Sequence, residues 1–261
     1  DKSTAELVNV VPSEKPSDAY RAVAENAKQF LPDYMHSWMN RSVCKRTVMT
    51  NPYNATKDSS RKYIRQALLE KGINPTKDEL TQIVNAVYSS MDTIVPGPMN
   101  VMRWIKKHVG LYIRNGAKEV EWVTPSGFTV NQKRDDIETQ IMELQLLVWY
   151  KVRIRTGIST PSPTKHKSST APNYIHSFDA SILHRSFNQF DEPFTVIHDS
   201  VLCRAGDMGT LNRLVRETYT NIFSEKCWLS EFAKTINASE PPPNHGTKDP
   251  KVGSNSTYLI C

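Results

Sequence analysis

Two short stretches of the chain carry residues whose types and spacing could do chemistry. The first is PFTVIHDSVLC, residues 193 to 203, where an apolar run from Phe194 to Ile197 breaks at His198-Asp199-Ser200 and resumes with Val201 and Leu202. Bounded by Pro193 and Gly206, it reads as two strands around a polar bend, buried by its apolar character. Asp199 has two possible uses there. It can bond its own backbone within a turn. Alternatively, a carboxylate at a hairpin tip can hold a divalent cation, because Mg²⁺ takes one or two protein carboxylates together with substrate phosphates. The triplet alone leaves both open.

The second stretch is RSVCKRTVMTNPYN, in which Arg41, Lys45, Met49 and Tyr53 recur every fourth residue. Four residues advance a helix by about 400°, so these side chains form a slowly drifting stripe on one face. Two cations, a thioether and a phenol suit a nucleoside triphosphate, with charge for the phosphates and flatter groups for base and sugar. A solvated basic face over a core edge fits the spacing equally well.

The elements that must position these residues can be read along the chain. Ala19, Val23, Ala27 and Phe30 or Leu31 keep helical spacing after Ser17, an N-cap candidate, so 17 to 31 is expected to be an amphipathic helix. Residues 36 to 51 follow as a helix that Pro52 should kink or end. Further helices are expected over 59 to 71, stopped by Gly72, and 76 to 91, where Thr76 and Glu79 match a capping box. Residues 95 to 113 read as a proline-started helix with Gly110 near its end. Residues 119 to 132 switch to period two around Pro-Ser-Gly, a hairpin pattern. A strand is expected over 139 to 155, a mobile Ser/Thr/Pro/Lys loop over 156 to 170, and a loop becoming a helix over 171 to 190. Another helix spans 208 to 222, and 237 to 257 reads as an irregular tail. The sum is an α+β, mainly helical chain.

Composition sets the outer limits. At 261 residues, 38% hydrophobic and 23% charged, the chain can bury one large core or two modest ones. Lys and Arg number 33 against 27 Asp and Glu, a net charge of +6. That excess makes a polyanionic partner plausible without requiring one. Cys44, Cys203, Cys227 and Cys261 lack metal-ligand spacing, so neither a zinc site nor a disulfide framework is indicated and a reducing compartment fits. No apolar run suggests a membrane span or a secretion signal. The chain opens on Asp1, not Met, so residues upstream are expected.

The motif R-S-V-x-K-R-x-V-M-T-x-x-Y resembles motif B in the fingers of single-subunit DNA-directed RNA polymerases of the phage and mitochondrial type. PNYIHSFDAS resembles that family's fingers-to-palm segment, WVTPSGFTVNQ its fingers hairpin, VIHDSV its palm motif C, and VRETY at 215 to 219 the helix after motif C. The apolar tip Tyr258 to Cys261 resembles the terminal foot. These segments stand in the family's order and cover nearly the whole chain.

The resemblance implies a fingers subdomain over 1 to 175, a distal palm over 176 to 210 within a right-hand polymerase, and a palm helix with foot over 211 to 261. It implies template-directed RNA synthesis from NTPs, with DNA template and RNA transcript as partners, two Mg²⁺ ions as cofactors, and, for a phage enzyme, the cytoplasm of an infected bacterial host. Asp199 would bind metal, and His198 would contact the primer end or orient the site. Lys45 would neutralise the triphosphate and protonate the pyrophosphate, Arg41 would add charge, and Met49 lies on the same nucleotide face. Tyr53 is matched to the residue that senses the 2′-hydroxyl and His176 to the histidine that assists it.

Two departures qualify the resemblance. Asn54 stands where the family has Gly after the tyrosine, a position asparagine can fill by its tolerance of left-handed backbone. Motif A, which supplies the second metal carboxylate, has no counterpart here, and DKSTAELVNVVPSE resembles the segment just beyond it. The second carboxylate is therefore expected outside this chain, in a missing N-terminal part, and the isolated chain is expected to be inactive. A family A DNA polymerase fragment shares the Lys, Tyr and His-Asp features but normally carries Glu at the position of Ser200. A non-catalytic nucleic-acid-binding remnant is the other alternative.

Overall fold

In the computed structural model, residues 2–51, 53, 55–145, 148–198, 200–244, 246 and 249–259 are described. Helices dominate, joined by three separate two-stranded antiparallel sheets, so the α+β, mainly helical expectation holds. The first half is helical: α1 (Lys2–Leu7), α2 (Ala19–Lys28), α3 (Asp33–His36), α4 (Arg41–Thr50), α5 (Lys57–Leu69), α6 (Lys77–Ile94) and α7 (Pro96–Arg114). The inward faces of α2, α4, α5 and α6 supply Val23, Ala27, Val43, Ile64, Leu68, Val84 and Met91, one continuous buried cluster.

Local chemistry explains where these helices begin and end. The capping box of α6 forms as expected, Glu79 N–H donating to Thr76 Oγ1 at 3.2 Å and Thr76 N–H to Glu79 Oε2 at 2.7 Å. After α5 the chain turns at Gly72, whose φ of 76° is costly for any residue with a Cβ. The start of α2 corrects the sequence reading. Its cap is Asp18, not Ser17, because it is the Asp18 carboxylate that accepts from Tyr20 and Arg21 N–H, while Ser17 N–H donates to Asn9 Oδ1 at 2.7 Å. The single helix expected over 36 to 51 is interrupted. Asn40 adopts extended backbone and accepts from Ser42 and Val43 N–H, starting α4 afresh.

A second cluster joins α7 to β1 (Val120–Val123), α8 (Pro163–Phe187), α9 (Met208–Glu225) and α10 (Trp228–Thr235), around Ile105, Val109, Trp122, Tyr174, Ile222 and Phe232. Helix α7 meets α8 closely at Gly110. A Cβ there would fall 2.7 Å from Cδ of Lys167, whose side chain crosses the helix at that point. A small third cluster holds Phe190, Leu211 and Leu214 beneath the last sheet.

Strand β1 pairs with β2 (Thr129–Gln132) in the expected hairpin, turning at Gly127 with φ 83°. The region 139 to 170 differs from expectation. Instead of one strand and a loop, β3 (Asp135–Gln145) and β4 (Trp149–Pro161) form a long antiparallel hairpin, and α8 follows at once from the N-cap Ser162 and Pro163. The hairpin went unread because the sequence between its two strands, Leu146, Leu147 and Val148, carries no turn signal. Helix α8 also runs through Pro172, where a loop was expected.

The base of this hairpin is tied to α8. Arg134 N–H donates to His166 Nε2 at 3.2 Å, and Ser162 N–H to the Arg134 carbonyl at 2.8 Å. Burial lowers the His166 pKa, favouring the neutral ring that this acceptor role needs.

The tail is less irregular than expected, with a short 3₁₀ turn over Pro250–Asn255. Arg216 on α9 donates to the carbonyls of Ser254, Ser256 and Thr257, and the Ser256 hydroxyl donates to the Asn9 carbonyl at 2.6 Å. No helix among the described residues is long and apolar enough to cross a membrane.

Candidate active site

Helix α4 divides its faces as the four-residue spacing demands. Val43, Cys44, Thr47 and Val48 are buried, while Arg41, Lys45 and Met49 face solvent. The packing of that inner face fixes the outer stripe. Burial also pushes the Cys44 thiol up to about 12, so this cysteine is an inert core residue.

Tyr53 continues the stripe just beyond the helix, its N–H donating to the Thr50 carbonyl at 3.1 Å. Its ring stacks on His176 of α8, with centroids 5.0 Å apart and planes 15° from parallel. Two residues far apart in sequence are thus brought face to face. His176 Nδ1 lies 3.6 Å from the Asp179 carboxylate one turn along α8. Burial raises the Tyr53 pKa, and the charges of Asp179 and Tyr20 raise it further, so the phenol keeps its proton at neutral pH and can donate a hydrogen bond.

At the other end of the stripe, Arg41 Nε donates to Asp18 Oδ2 at 2.6 Å, and its guanidinium carbon stands 5.4 Å from the Tyr20 ring centroid. Burial alone would raise the Asp18 pKa. The N–H of Arg21, the Arg41 guanidinium and the N–H of Tyr20 outweigh it and hold the carboxyl below its usual range. Tyr20 therefore neighbours both Arg41 and Tyr53. Among the described residues, nothing pairs with the Lys45 ammonium.

The hairpin of the opening motif is β5 (Phe194–Ile197) and β6 (Ser200–Cys203), with Ile197 opposite Ser200. His198 therefore stands at the turn between the two strands. It has φ 57°, the left-handed backbone such turns require. Asp199 lies outside the described residues. The expectation of burial is corrected: all of β5 is exposed, Ile197 by 61% and Phe194 by 44%. Among the described residues no group of three His, Cys, Asp or Glu could hold a metal ion.

The structure stacks Tyr53 on His176, and it places Arg41 against Asp18 and Tyr20, two contacts of Arg41 that sequence reasoning did not foresee. Asp18 was hidden because Ser17 and Asp18 are both good caps. Tyr20 sits in an ordinary amphipathic pattern that gives no sign of its outward contacts.

The outer face of α4 carries Arg41, Lys45 and Met49, and Tyr53 beyond it stacks on His176. The family model for DNA-dependent RNA polymerase matches residues 1–249, and the chain belongs to that family, in its single-subunit phage and mitochondrial type. It is 29% identical over 255 residues to the mitochondrial DNA-directed RNA polymerase of Schizosaccharomyces pombe, covering 86% of this chain and 22% of that protein. The human mitochondrial enzyme is 27% identical across 100% of this chain and 24% of its own length. The DNA-directed RNA polymerase of Pseudomonas phage phiKMV is 23% identical over 85% of this chain and 28% of that protein. The chain spans about a quarter of the length of these relatives.

Proposed function

We propose that this chain forms the fingers, distal palm and foot of a single-subunit RNA polymerase, which transfers nucleotides from NTPs to an RNA 3′ end on a DNA template. The observation that carries the reading is the stacking of Tyr53 on His176, which unites the motif-B helix with a distant segment in one sugar-sensing pair. Membership of the polymerase family supports it, and the relatives named above are RNA polymerases, which does not favour the DNA polymerase alternative.

The roles follow from chemistry. Lys45 and Arg41, both on the open face of α4, neutralise the triphosphate; Lys45 is close enough in type to a general acid to protonate the departing pyrophosphate. Met49 offers a soft, apolar surface beside the base. Tyr53, kept protonated, donates to or accepts from the ribose 2′-hydroxyl, and His176 fixes its ring. Asp199 would hold Mg²⁺ with a second carboxylate from elsewhere in the polymerase, and the bound ions would supply charge stabilisation at the attacking and leaving oxygens. His198 orients the primer end.

The test is the Asp199→Ala variant of the complete polymerase. Elongation is expected to fall by roughly 100-fold or more, as when a group that stabilises transition-state charge is removed. Near-normal elongation overturns the reading.

A further inference from the structure

One carboxylate serves the starts of two helices. Asp18 Oδ1 caps α2 through the N–H groups of Tyr20 and Arg21, at 3.0 and 3.1 Å, while Oδ2 accepts from Arg41 Nε, the first residue of α4. Asp18 is itself held from behind. Asn9, at φ 61°, clasps Ser17 on both backbone groups, Nδ2 donating to the Ser17 carbonyl at 3.2 Å and Oδ1 accepting its N–H at 2.7 Å.

The contact on Arg41 engages Nε. A guanidinium has five N–H donors in a rigid planar fork. Holding it at Nε leaves the edge formed by the two Nη groups for a second, bidentate anion. The Tyr20 ring 5.4 Å away further restricts where the group can swing. A free surface arginine loses rotamer freedom when it grips a phosphate, whereas a tethered one has lost that freedom in advance.

We infer that Asp18 is a positioning residue for substrate binding: it holds Arg41 by Nε so that the Nη edge meets the triphosphate. The inference rests on the reading of Arg41 as a triphosphate ligand. It opposes the simpler view that Asp18 only staples α2 to α4. It also opposes the view that its negative charge cancels Arg41, which would make its removal tighten binding.

Asp18→Asn separates these views, because asparagine caps a helix about as well as aspartate but gives up the charge-assisted bond to Arg41. In the complete polymerase, D18N is expected to raise KM for NTPs about threefold to tenfold, with kcat within about twofold and melting temperature close to the parent's. On an Arg41→Ala background D18N should change KM no further. If R41A raises KM while D18N leaves it unchanged or lowers it, or if the two effects add, the positioning role is overturned and the triphosphate role of Arg41 stands. If R41A itself leaves KM unchanged, the triphosphate role fails, and this inference with it.

Discussion

The outer face of α4 and the β5–β6 hairpin carry the two halves of the proposed chemistry, and they are built in opposite ways. The α4 face rests on a closed core: Val43, Cys44 and Val48 lie beneath it, Asp18 and Tyr20 hold one end, and His176 stacks at the other. The hairpin has a smaller footing: Val201 and Cys203 pack on the Phe190, Leu211 and Leu214 cluster, and Phe194 stacks on Phe187 at 3.9 Å between ring centroids. Its loop residue His198 sits at the tip of two exposed strands, with Val196 exposed by 38% and Leu202 by 57%. A nucleotide-recognising face can be completed by one chain segment. In the proposed polymerase the metal loop would need a second carboxylate from elsewhere, and the outward side chains of this hairpin, such as Ile197 and Leu202, remain exposed.

The largest expected effect tests that dependence directly. Residues 1 to 261 alone should bind nucleic acid weakly, with affinity falling as salt rises, and should extend no primer with Mg²⁺ and all four ribonucleotides. Template-directed extension by the purified chain, lost in Asp199→Ala, would show that the hairpin is complete after all. A smaller effect probes the self-sufficient face. Tyr53→Phe removes one hydroxyl and should weaken discrimination against deoxynucleotides by about tenfold, equivalent to one hydrogen bond of roughly 1.4 kcal/mol, while ribonucleotide addition stays near normal. Unchanged sugar preference in competition assays would remove Tyr53 from selection.

The smallest effect is on stability at high pH, and it should come from beneath α4. The Cys44 thiol is raised from 9.0 to about 12 by burial. Its folded value exceeds its unfolded one, so its contribution is complete below about pH 9 and is lost as pH rises toward 12. The raised phenols of Tyr174 and Tyr219 act in the same direction from pH 10 upward. Denaturant unfolding between pH 8 and 11 should show this decline, with Cys44→Ala flattening its first part; an equally steep decline in that variant would place the effect elsewhere.

What could be read from sequence divides along physical lines. Strong local signals gave correct elements: the Thr76–Glu79 box, Pro96 at the head of α7, the Pro-Ser-Gly hairpin and the break at His198. The α4 stripe was legible because helical period alone sorts its residues. The β3–β4 hairpin was not, since the sequence carries no turn signal between the two strands, and Ser and Thr along β4 mimic a loop. Exposure of β5 was also hidden, because an apolar strand looks the same whether its cover lies within the chain or beyond it. Contacts such as Asp18 with Arg41 depend on how two helices meet, which no local pattern encodes.

Arg216 has a consequence of a different kind. It grips the tail by backbone carbonyls at Ser254, Ser256 and Thr257, and every amino acid offers the same carbonyl. The side chains at 254 and 257 are therefore free to drift over generations without loosening the hold, while substitution at 216 releases all three carbonyls at once. A large share of the burden of keeping the tail in place thus falls on a single codon in α9, beside the bonds from Ser256 to Asn9 and from Tyr258 to Glu14.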